Sequence, residues 1–518
     1  KSTSRQEAMW EIFLWVAGLI AAYYTFAFVR IVVRPYISTP LDKVPGPKST
    51  HWYFGNTLEL LPPPPLVQLL KWANEFSEHP LICYRFLWNE QRVLITDPAV
   101  IRRVLVTNAR NYSKEVAGYN LLRMALGDGL ITQDHETHAV HRKLINPAFK
   151  RAVLKQLVGK FECQADVMLE FIERTHGAEL DGKAEGKLWN MSELLNKITL
   201  NIIGDAGFGV SFDAFGDPNA GTLGQRLYSA FSHIITQHTV VNSFIPIARY
   251  FPTPKNLSTG KNIVLLDRTV LHVVKEKRAK LQHQSEGTET PYADILDILI
   301  AARDEETGFR LTDKQLAAHV KTFLGAGHET TSTLLMWTLY ALSQEPEIEE
   351  ELAREVRAVT DSCDTLDFAT VENMALLSRV LKEVLRLYSP VGIIARRAEA
   401  DDTLGGYFIP KHTRVLVSPY ILHHMPSLWK DAEKFDPDRW TPERMKDIDS
   451  CQYLPFILGP RDCVGKKFAL LEAKVILVKL LSRYRFSMTK EAFAKMETRL
   501  HVTMRPHPFL EMSVSRRT

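Results

Sequence analysis

The residues best suited to chemistry converge on one cysteine. The stretch Phe456-Ile-Leu-Gly459-Pro-Arg461-Asp-Cys463-Val-Gly465 sets Cys463 in a turn with two glycines and a proline. Gly459 permits a tight turn, and Gly465 permits another group to approach closely. An apolar helical run begins just after Cys463, and the positive end of such a helix favours a thiolate. A thiolate is the form of cysteine that binds a metal. The bland alternative is an inert cysteine buried in a turn. The remaining cysteines, Cys83, Cys163, Cys363 and Cys451, are scattered, and no pair is spaced C-x-x-C. An odd total of 5 argues against a disulfide scaffold and against structural zinc, and fits a reducing compartment.

Three further groups carry charge or hydroxyl chemistry. Ala326-Gly327-His-Glu329-Thr330-Thr331 sets an acid beside an alcohol. On its own, Thr330 would only bond back to a carbonyl on the preceding turn. Glu383-Val-Leu-Arg386 puts opposite charges on one helix face. Glu351-Leu-Ala-Arg354 has the same spacing, so the pattern alone discriminates little. His138 and Arg142 stand one helical turn apart, and their default reading is a solvated surface.

These groups need elements to position them. Thr312-Asp-Lys-Gln315 reads as a capping box, and Pro346 ends the helix that it opens, giving a helix over Thr312–Gln344. Its middle, Phe323-Leu-Gly-Ala-Gly327, is apolar or small all round, which requires burial. At ~1.5 Å per residue it is about 50 Å long, enough to cross a large domain. One helix threading one core makes residues 48–518 a single domain, although the length of 518 residues would by itself suggest about three. Further helices are expected at Lys150–Glu173, Val264–Lys280, Leu377–Leu387 and Val464–Arg483. Strands are expected at Arg92–Thr96, Arg414–Ser418 and Arg485–Met488. The fold class is mainly α with a small β-sheet region.

The run Ile12 to Val29 carries no charge. Eighteen helical residues reach about 27 Å, close to the ~30 Å hydrocarbon core. Trp10, Trp15 and Tyr36 stand where interfacial aromatics belong, and Arg30, Arg34 and Lys43 outnumber Lys1 and Arg5. The expected organisation is a short lumenal stub at 1–11, a transmembrane anchor helix at 12–33, a proline-containing hinge at 34–47 and a cytosolic body. Residues before Lys1 are also expected, because no initiator Met is present. The sequons at Asn111, Asn190 and Asn256 should then carry no glycan, and finding one by mass spectrometry would reverse the orientation. A net charge of +4 gives nucleic-acid binding no electrostatic support.

The Cys463 loop resembles the haem-binding loop of the cytochrome P-450 family, F-x-x-G-x-R-x-C-x-G, at every fixed position. The likeness extends roughly from Val44 to Pro506. It implies the cytochrome P-450 fold: one large haem domain, here preceded by one N-terminal transmembrane helix. It makes Cys463 the metal ligand, a proximal thiolate that favours O–O cleavage. Phe456 would shield the sulfur, and Arg461 would pair with a haem propionate. Ala326 to Thr331 is similar to A-G-x-[DE]-T-T, in which Gly327 loosens the helix and Glu329 and Thr330 form the acid–alcohol pair that relays protons. Glu383 and Arg386, with Arg439 of Phe435-Asp-Pro437-Asp-Arg439-Trp440, would form a buried structural network. His138-x-x-x-Arg142 stands where many members have W-x-x-x-R, a variant frequent in fungal members. His138, Arg142 and Arg396 would also meet the propionates.

The same resemblance places the substrate among Tyr112–Met124, Tyr228–Ile247, Phe323–Thr330, Val391–Ala395 and Arg499–Val502. Phe323, Ala326, Val391, Ile393 and Ile394 would form an apolar ceiling suited to a lipophilic small molecule, with fatty acids, steroids and terpenoids all open. Arg123 reads as an exposed arginine. The implied cofactors are haem b and O2. No flavin or iron–sulfur motif is present, so the likeness points to NADPH acting through a separate NADPH-cytochrome P-450 reductase in the endoplasmic reticulum membrane, with cytochrome b5 as a further donor. Arg142, Lys143, Lys150, Arg151, Lys466 and Lys467 would steer an acidic partner. Two other classes compete: a haem-thiolate isomerase or dehydratase acting on a peroxide, and a non-catalytic haem- or sterol-binding membrane protein.

Overall fold

The computed structural model describes every residue except 1, 30–32, 34–38, 63, 65, 115, 179, 181–187, 218–220, 237–251, 285–292, 364, 501 and 518. The elements that matter here are α1 (Ser2–Phe28), β1 (Leu81–Arg85), β2 (Gln91–Ile95), β3 (Tyr112–Ser113), α2 (Ala117–Leu126), α3 (His135–Ile145), α4 (Arg151–Ala178) and α5 (Met191–Ile202). They continue with α6 (Pro254–Gln284), α7 (Asp313–Gln344), α8 (Ala375–Leu387), β4 (Ile394–Ala398), β5 (Arg414–Val417), α9 (Lys466–Arg483), β6 (Tyr484–Ser487), β7 (Glu497–Leu500), β8 (Met504–His507) and β9 (Glu511–Arg516).

Helix α7 is the axis of the molecule. Thr312 is its N-cap: Gln315 N donates to Thr312 Oγ1 at 3.3 Å, and Thr312 N donates to Gln315 Oε1 at 2.9 Å, which completes the expected box. Most residues from Leu316 to Leu342 are buried, on every side of the helix. It packs against α5, α6, α8 and α9, and α9 packs in turn on α4. The main apolar core lies between these helices, with Leu334, Trp337, Val384 and Leu477 at its centre.

A second, smaller core lies under the sheet, whose strand order is β1-β2-β5-β4-β3. Strands β2 and β5 run parallel with Val93 opposite Val415, and β4 pairs antiparallel with β5. The short hairpin β7–β8 closes with Leu500 opposite Met504. Strand β6 pairs with β9, Phe486 opposite Val514.

Expected bounds hold to within a few residues, with two informative exceptions. The Val264–Lys280 helix is longer, because α6 starts at Pro254, where proline supplies a preset first turn and Thr253 Oγ1 accepts from Asn256 N at 3.2 Å. Helix α9 starts at Lys466 rather than Val464, with Gly465 as its N-cap. At the amino terminus, the side chains from Trp10 to Phe26 of α1 are exposed. Among the described residues no helix is long and apolar enough to cross a membrane. Arg30, Arg34 and Tyr36, which were expected to flank the anchor, lie outside the described residues.

Buried imidazoles make the fold acid-sensitive. Burial pushes His319 down to about 3 and His423 well below the ordinary histidine range. Both rings are fully buried. The unfolded chain takes protons on such rings near pH 6.5, whereas the folded chain does not. Their contribution is therefore intact above about pH 6.5 and is lost as pH falls below it, by up to ~1.4 kcal/mol per ring per pH unit. Urea midpoints measured at pH 7.5 and 5.5 should differ accordingly, and a flat profile would contradict the buried neutral rings.

Candidate active site

An interior cavity lies between α7 and the loop that precedes α9. The loop brings the Cys463 side chain to its floor, and the sulfur is open to the cavity. Cys463 N donates to Phe456 O at 2.9 Å, which closes the loop on itself. Gly459 sits at φ +80°, and a Cβ there would lie 2.0 Å from Leu105 O. Only glycine fits this position. Gly465 is less constrained: the nearest neighbour of a Cβ would be Phe149 Cε1 at 4.0 Å. Phe456, Phe323, Ala326, Val391 and Ile394 line the cavity as expected. Ile393 does not. It packs in a separate cluster with Leu66, Leu416 and Met504, because adjacent residues entering a strand face opposite ways.

The loop is fastened by charge. Arg142 Nη1 donates to Asp462 O at 2.6 Å and its Nη2 to Asp462 Oδ1 at 2.7 Å. Arg461 pairs with Asp134 at 2.6 Å and also donates to Gln133 O. These two arginines therefore have protein partners of their own, which the sequence did not reveal. The thiol behaves differently from the expectation. Burial pushes it up, while the Gly465 N–H, Arg142 and Lys466 pull it down. In the protein alone, burial, helped by Asp462, outweighs these groups.

Behind the loop lies the expected network. Glu383 and Arg386 pair at 2.8 Å with both side chains fully buried. Arg439 Nε reaches Glu383 Oε1 at 3.3 Å, and Trp440 Nε1 donates to Glu383 Oε2 at 2.9 Å. The remaining donors of Arg386 take the carbonyls of His423, Ala432 and Lys434. His423 is a bridge that sequence reasoning missed. Leu454 N donates to its Nε2 at 2.9 Å, so its proton sits on Nδ1 and is donated to Arg386 O at 3.0 Å. The network is thereby joined to the start of the Cys463 loop.

One rim of the cavity is strongly cationic. Lys114, His138, Arg142, Arg396 and Arg461 all line it. Burial, then Arg396 and Arg461, drives Lys114 well below the ordinary lysine range. Burial, then Arg461 and Lys114, drives His138 down to about 3. Lys114 was missed because it belongs to no motif; its place in the expected lining segment Tyr112–Met124 was the available signal. Arg396 Nη1 donates to Tyr119 Oη at 3.3 Å and to Ala395 O at 2.9 Å. Asp134 and Asp462 offset only two of the three arginines, whose field also opposes protonation of Lys114 and His138, so this rim suits a ligand with two carboxylates beside a flat apolar body. Together with an open sulfur beneath it, the donor set fits haem.

Opposite the sulfur, α7 supplies Thr330, whose Oγ1 donates to Ala326 O at 2.7 Å. This is the simple back-bond, and it leaves the oxygen lone pairs free to accept. Gly327 does not open the helix, which is continuous; a Cβ there would press on Ile203 at 3.1 Å. Glu329 also borders the cavity, but its carboxylate is ion-paired with Arg505 at 2.8 Å. Arg123 pairs with Asp128 at 2.8 Å and is not in the lining. Of the expected segment Tyr228–Ile247, Ile234 lines the cavity, while residues 237–247 lie outside the described residues.

The family profile described as Cytochrome P450 matches residues 44–511, nearly the whole body. The chain belongs to the cytochrome P450 family. It is 30% identical over 500 residues to cytochrome P450 monooxygenase sphH of Aspergillus fumigatus, an alignment covering 92% of this chain and 88% of the relative. It is 29% identical over 488 residues to human cytochrome P450 4B1, covering 92% and 91%. Among solved structures, the crystal structure of the cytochrome P450DA heme domain superposes with a TM-score of 0.78 at 27% identity, covering 92% of this chain and 98% of that one. This P450 is accordingly an oxygen-incorporating oxidoreductase of the haem-thiolate class, with haem b, O2 and electrons from a redox partner.

Proposed function

We propose that this P450 inserts one oxygen atom from O2 into a lipophilic small molecule, by hydroxylation or epoxidation, with electrons from NADPH delivered by a separate reductase. The observation that carries the reading is the cavity itself: an open cysteine sulfur on its floor, a cationic rim at one side and a largely apolar roof that carries the Thr330 hydroxyl. Cys463 would ligate the iron, with Phe456 beside the sulfur. Arg396, Arg461, His138, Arg142 and Lys114 would hold the haem carboxylates. When bound, haem supplies the activation of O2. The protein's part is to keep the thiolate at Cys463 Sγ, line the site with an apolar roof, and hold a proton-bearing water at Thr330 Oγ1, whose lone pairs are free to accept.

The exposed apolar side chains of α1 support an anchor over residues 12–33, and with it an endoplasmic reticulum location. A basic face around the Cys463 loop supports docking of an acidic reductase, with cytochrome b5 as a second donor. That face is smaller than the residue types suggest. Lys143 is held by Asp304 at 2.7 Å, Arg151 by Glu372, and Arg142 by Asp462. Lys150 and Lys467 remain exposed, and Lys466, also exposed, lies 3.4 Å from Asp462. Charge reversal at Lys466 and Lys467 should slow reduction and flatten its salt dependence, as stopped-flow kinetics would register. Unchanged kinetics would remove this docking face.

Thr330→Ala should raise peroxide release and cut product formed per NADPH by about tenfold or more, less than the roughly 10²–10⁴-fold of a side chain that transfers the proton itself. Unaltered coupling would place the proton path elsewhere. The function itself is tested by optical titration of the holoenzyme with a long-chain fatty acid and, separately, a steroid, followed by turnover with reductase. A spin-state shift with one ligand and an oxygenated product from it support the reading. Absence of a haem spectrum in folded protein refutes it.

A further inference from the structure

Gln133 is tied at both ends. Its backbone carbonyl accepts from Arg461 Nη1, and the next residue, Asp134, accepts from Arg461 Nη2 at 2.6 Å. Its buried side chain donates through Nε2 to Asp128 O at 2.7 Å, and the same nitrogen lies 2.8 Å from His141 Nδ1. His141 Nδ1 in turn lies 2.9 Å from His319 Nε2. His141 belongs to α3 and His319 to α7, and neither is more than 2% exposed. The proton positions follow from the one pinned amide. A carbonyl only accepts, so the Gln133 atom facing Asp128 O is nitrogen. That nitrogen donates to His141 Nδ1 as well, and His141 carries its own proton on Nε2. His319 Nε2 faces the same lone pair and must also donate. His319 Nδ1 is left bare, and it has no hydrogen-bond partner among the described residues. Gln315 Nε2, at 3.4 Å from His141 Nε2, is the longest contact of the set. The set holds only while both rings are neutral, since a proton on His141 Nδ1 would face two N–H donors. Burial pushes both rings below the ordinary histidine range, His319 to about 3 with His141 adding to its shift. No other charged group among the described residues moves either ring.

We propose that His141 and His319 are positioning residues for Arg461: they clasp Gln133, and through Gln133 and Asp134 they aim the guanidinium that would meet a haem carboxylate. The proposal rests on the reading of Arg461 as a residue that holds haem. The rim around Arg461 is crowded with positive charge from Lys114, Arg142 and Arg396. Like charges repel, so the direction of Arg461 depends on acceptors that are themselves held in place. Asp134 is one of them. It is the N-cap residue of α3, yet its carboxylate makes no capping bond and serves Arg461 and Lys114 N instead. The clasp therefore runs from α7, through α3 and the residues before it, to the loop that carries Cys463. When it opens, both rings regain the ordinary histidine range near 6.5 and take up protons. Opening is favoured as pH falls below that value, by up to ~tenfold per pH unit for each ring.

The test follows transfer of ferric haem from the holoenzyme to excess apomyoglobin at pH 7.5 and 5.5, with far-UV circular dichroism on the same samples to show that the fold is kept. His319→Leu removes a donor of the clasp and should release haem about tenfold faster at pH 7.5, the low end of what the outer partners of a metal site contribute. Added to Arg461→Gln it should change nothing further, because it acts through that guanidinium. His141→Gln and His319→Gln keep a neutral acceptor and a neutral donor without a titrating ring. Each should narrow the acid acceleration of release by about tenfold, and the two together by about a hundredfold. His138 and Lys114 also face Arg461, but they are present in every variant and cancel from the comparison. Should His319→Leu not fold, the glutamine variants carry the test. An acid acceleration unchanged in the paired glutamine variant would overturn the proposal. So would a folded His319→Leu protein that keeps haem as the parent does, or one that loses more when combined with Arg461→Gln. An Arg461→Gln protein that holds haem as tightly as the parent would instead overturn the reading of the rim beneath it.

Discussion

Cys463→His is expected to give a folded protein that takes up haem, loses the reduced carbon monoxide spectrum of a thiolate-ligated haem, and loses monooxygenase turnover by more than ~100-fold. Groups that merely orient a metal's ligands already cost about 10–100-fold when removed, and the ligand itself should cost more. The fold should survive because nothing that fastens the loop passes through the sulfur. The bonds are Arg142 to Asp462, Arg461 to Asp134, and the backbone of Cys463 to Phe456. An imidazole can reach the same position but is a neutral donor, so it lacks the electron push of a thiolate. No other cysteine is placed to replace it: Cys83 is buried under the sheet with its thiol pushed up to about 12, and Cys451 lies in that same second core. A Cys463→His protein with an unchanged thiolate spectrum would end the assignment.

The second large effect is expected at Glu383. Glu383→Ala should cost about 3–5 kcal/mol, the usual result of removing one partner from a buried ion pair. It strands two buried arginines, Arg386 and Arg439, and deprives Trp440 Nε1 and Asp436 N of their acceptor. The damage should spread to the haem site through His423, whose two nitrogens join Arg386 to Leu454. Haem should therefore be released at a lower urea concentration than in the parent. Arg386→Leu should be milder in charge, since Glu383 keeps Arg439 and Trp440, but it loses the donors to three carbonyls. A Glu383→Ala protein within about 0.5 kcal/mol of the parent would be behaving like an ordinary surface variant, and the network would be decorative.

Much of this was legible in the sequence, for identifiable reasons. Capping chemistry is local, so Thr312 and Gln315 announced the start of α7 correctly. Strong side-chain signatures at fixed spacing announced the Cys463 loop and the Glu383 network. What stayed hidden depends on partners far along the chain. Nothing in the sequence ties Arg142 to Asp462 or Glu329 to Arg505, yet these contacts decide which charges are free. Glu329, the acid expected to relay protons, is ion-paired, and four of the six expected basic residues have acidic partners. Ile393 failed for a simpler reason: a one-residue change at the entry to a strand reverses the face. Lys114 belongs to no motif, and only its place in the expected lining segment Tyr112–Met124 pointed to it.

The fastening of the Cys463 loop also bears on how the molecule assembles. Its bonds to Arg142 and Asp134 span 320 and 327 positions of sequence. Such long closures must be completed before they contribute, and chains dominated by them fold slowly. On a ribosome that emits about 5–20 residues per second, the earlier helices are exposed well before Cys463 exists. The pocket therefore acquires its floor, and with it Arg461 of the rim, after the segments of its roof have been made, and a nascent chain cannot secure haem through this cysteine until synthesis is nearly complete.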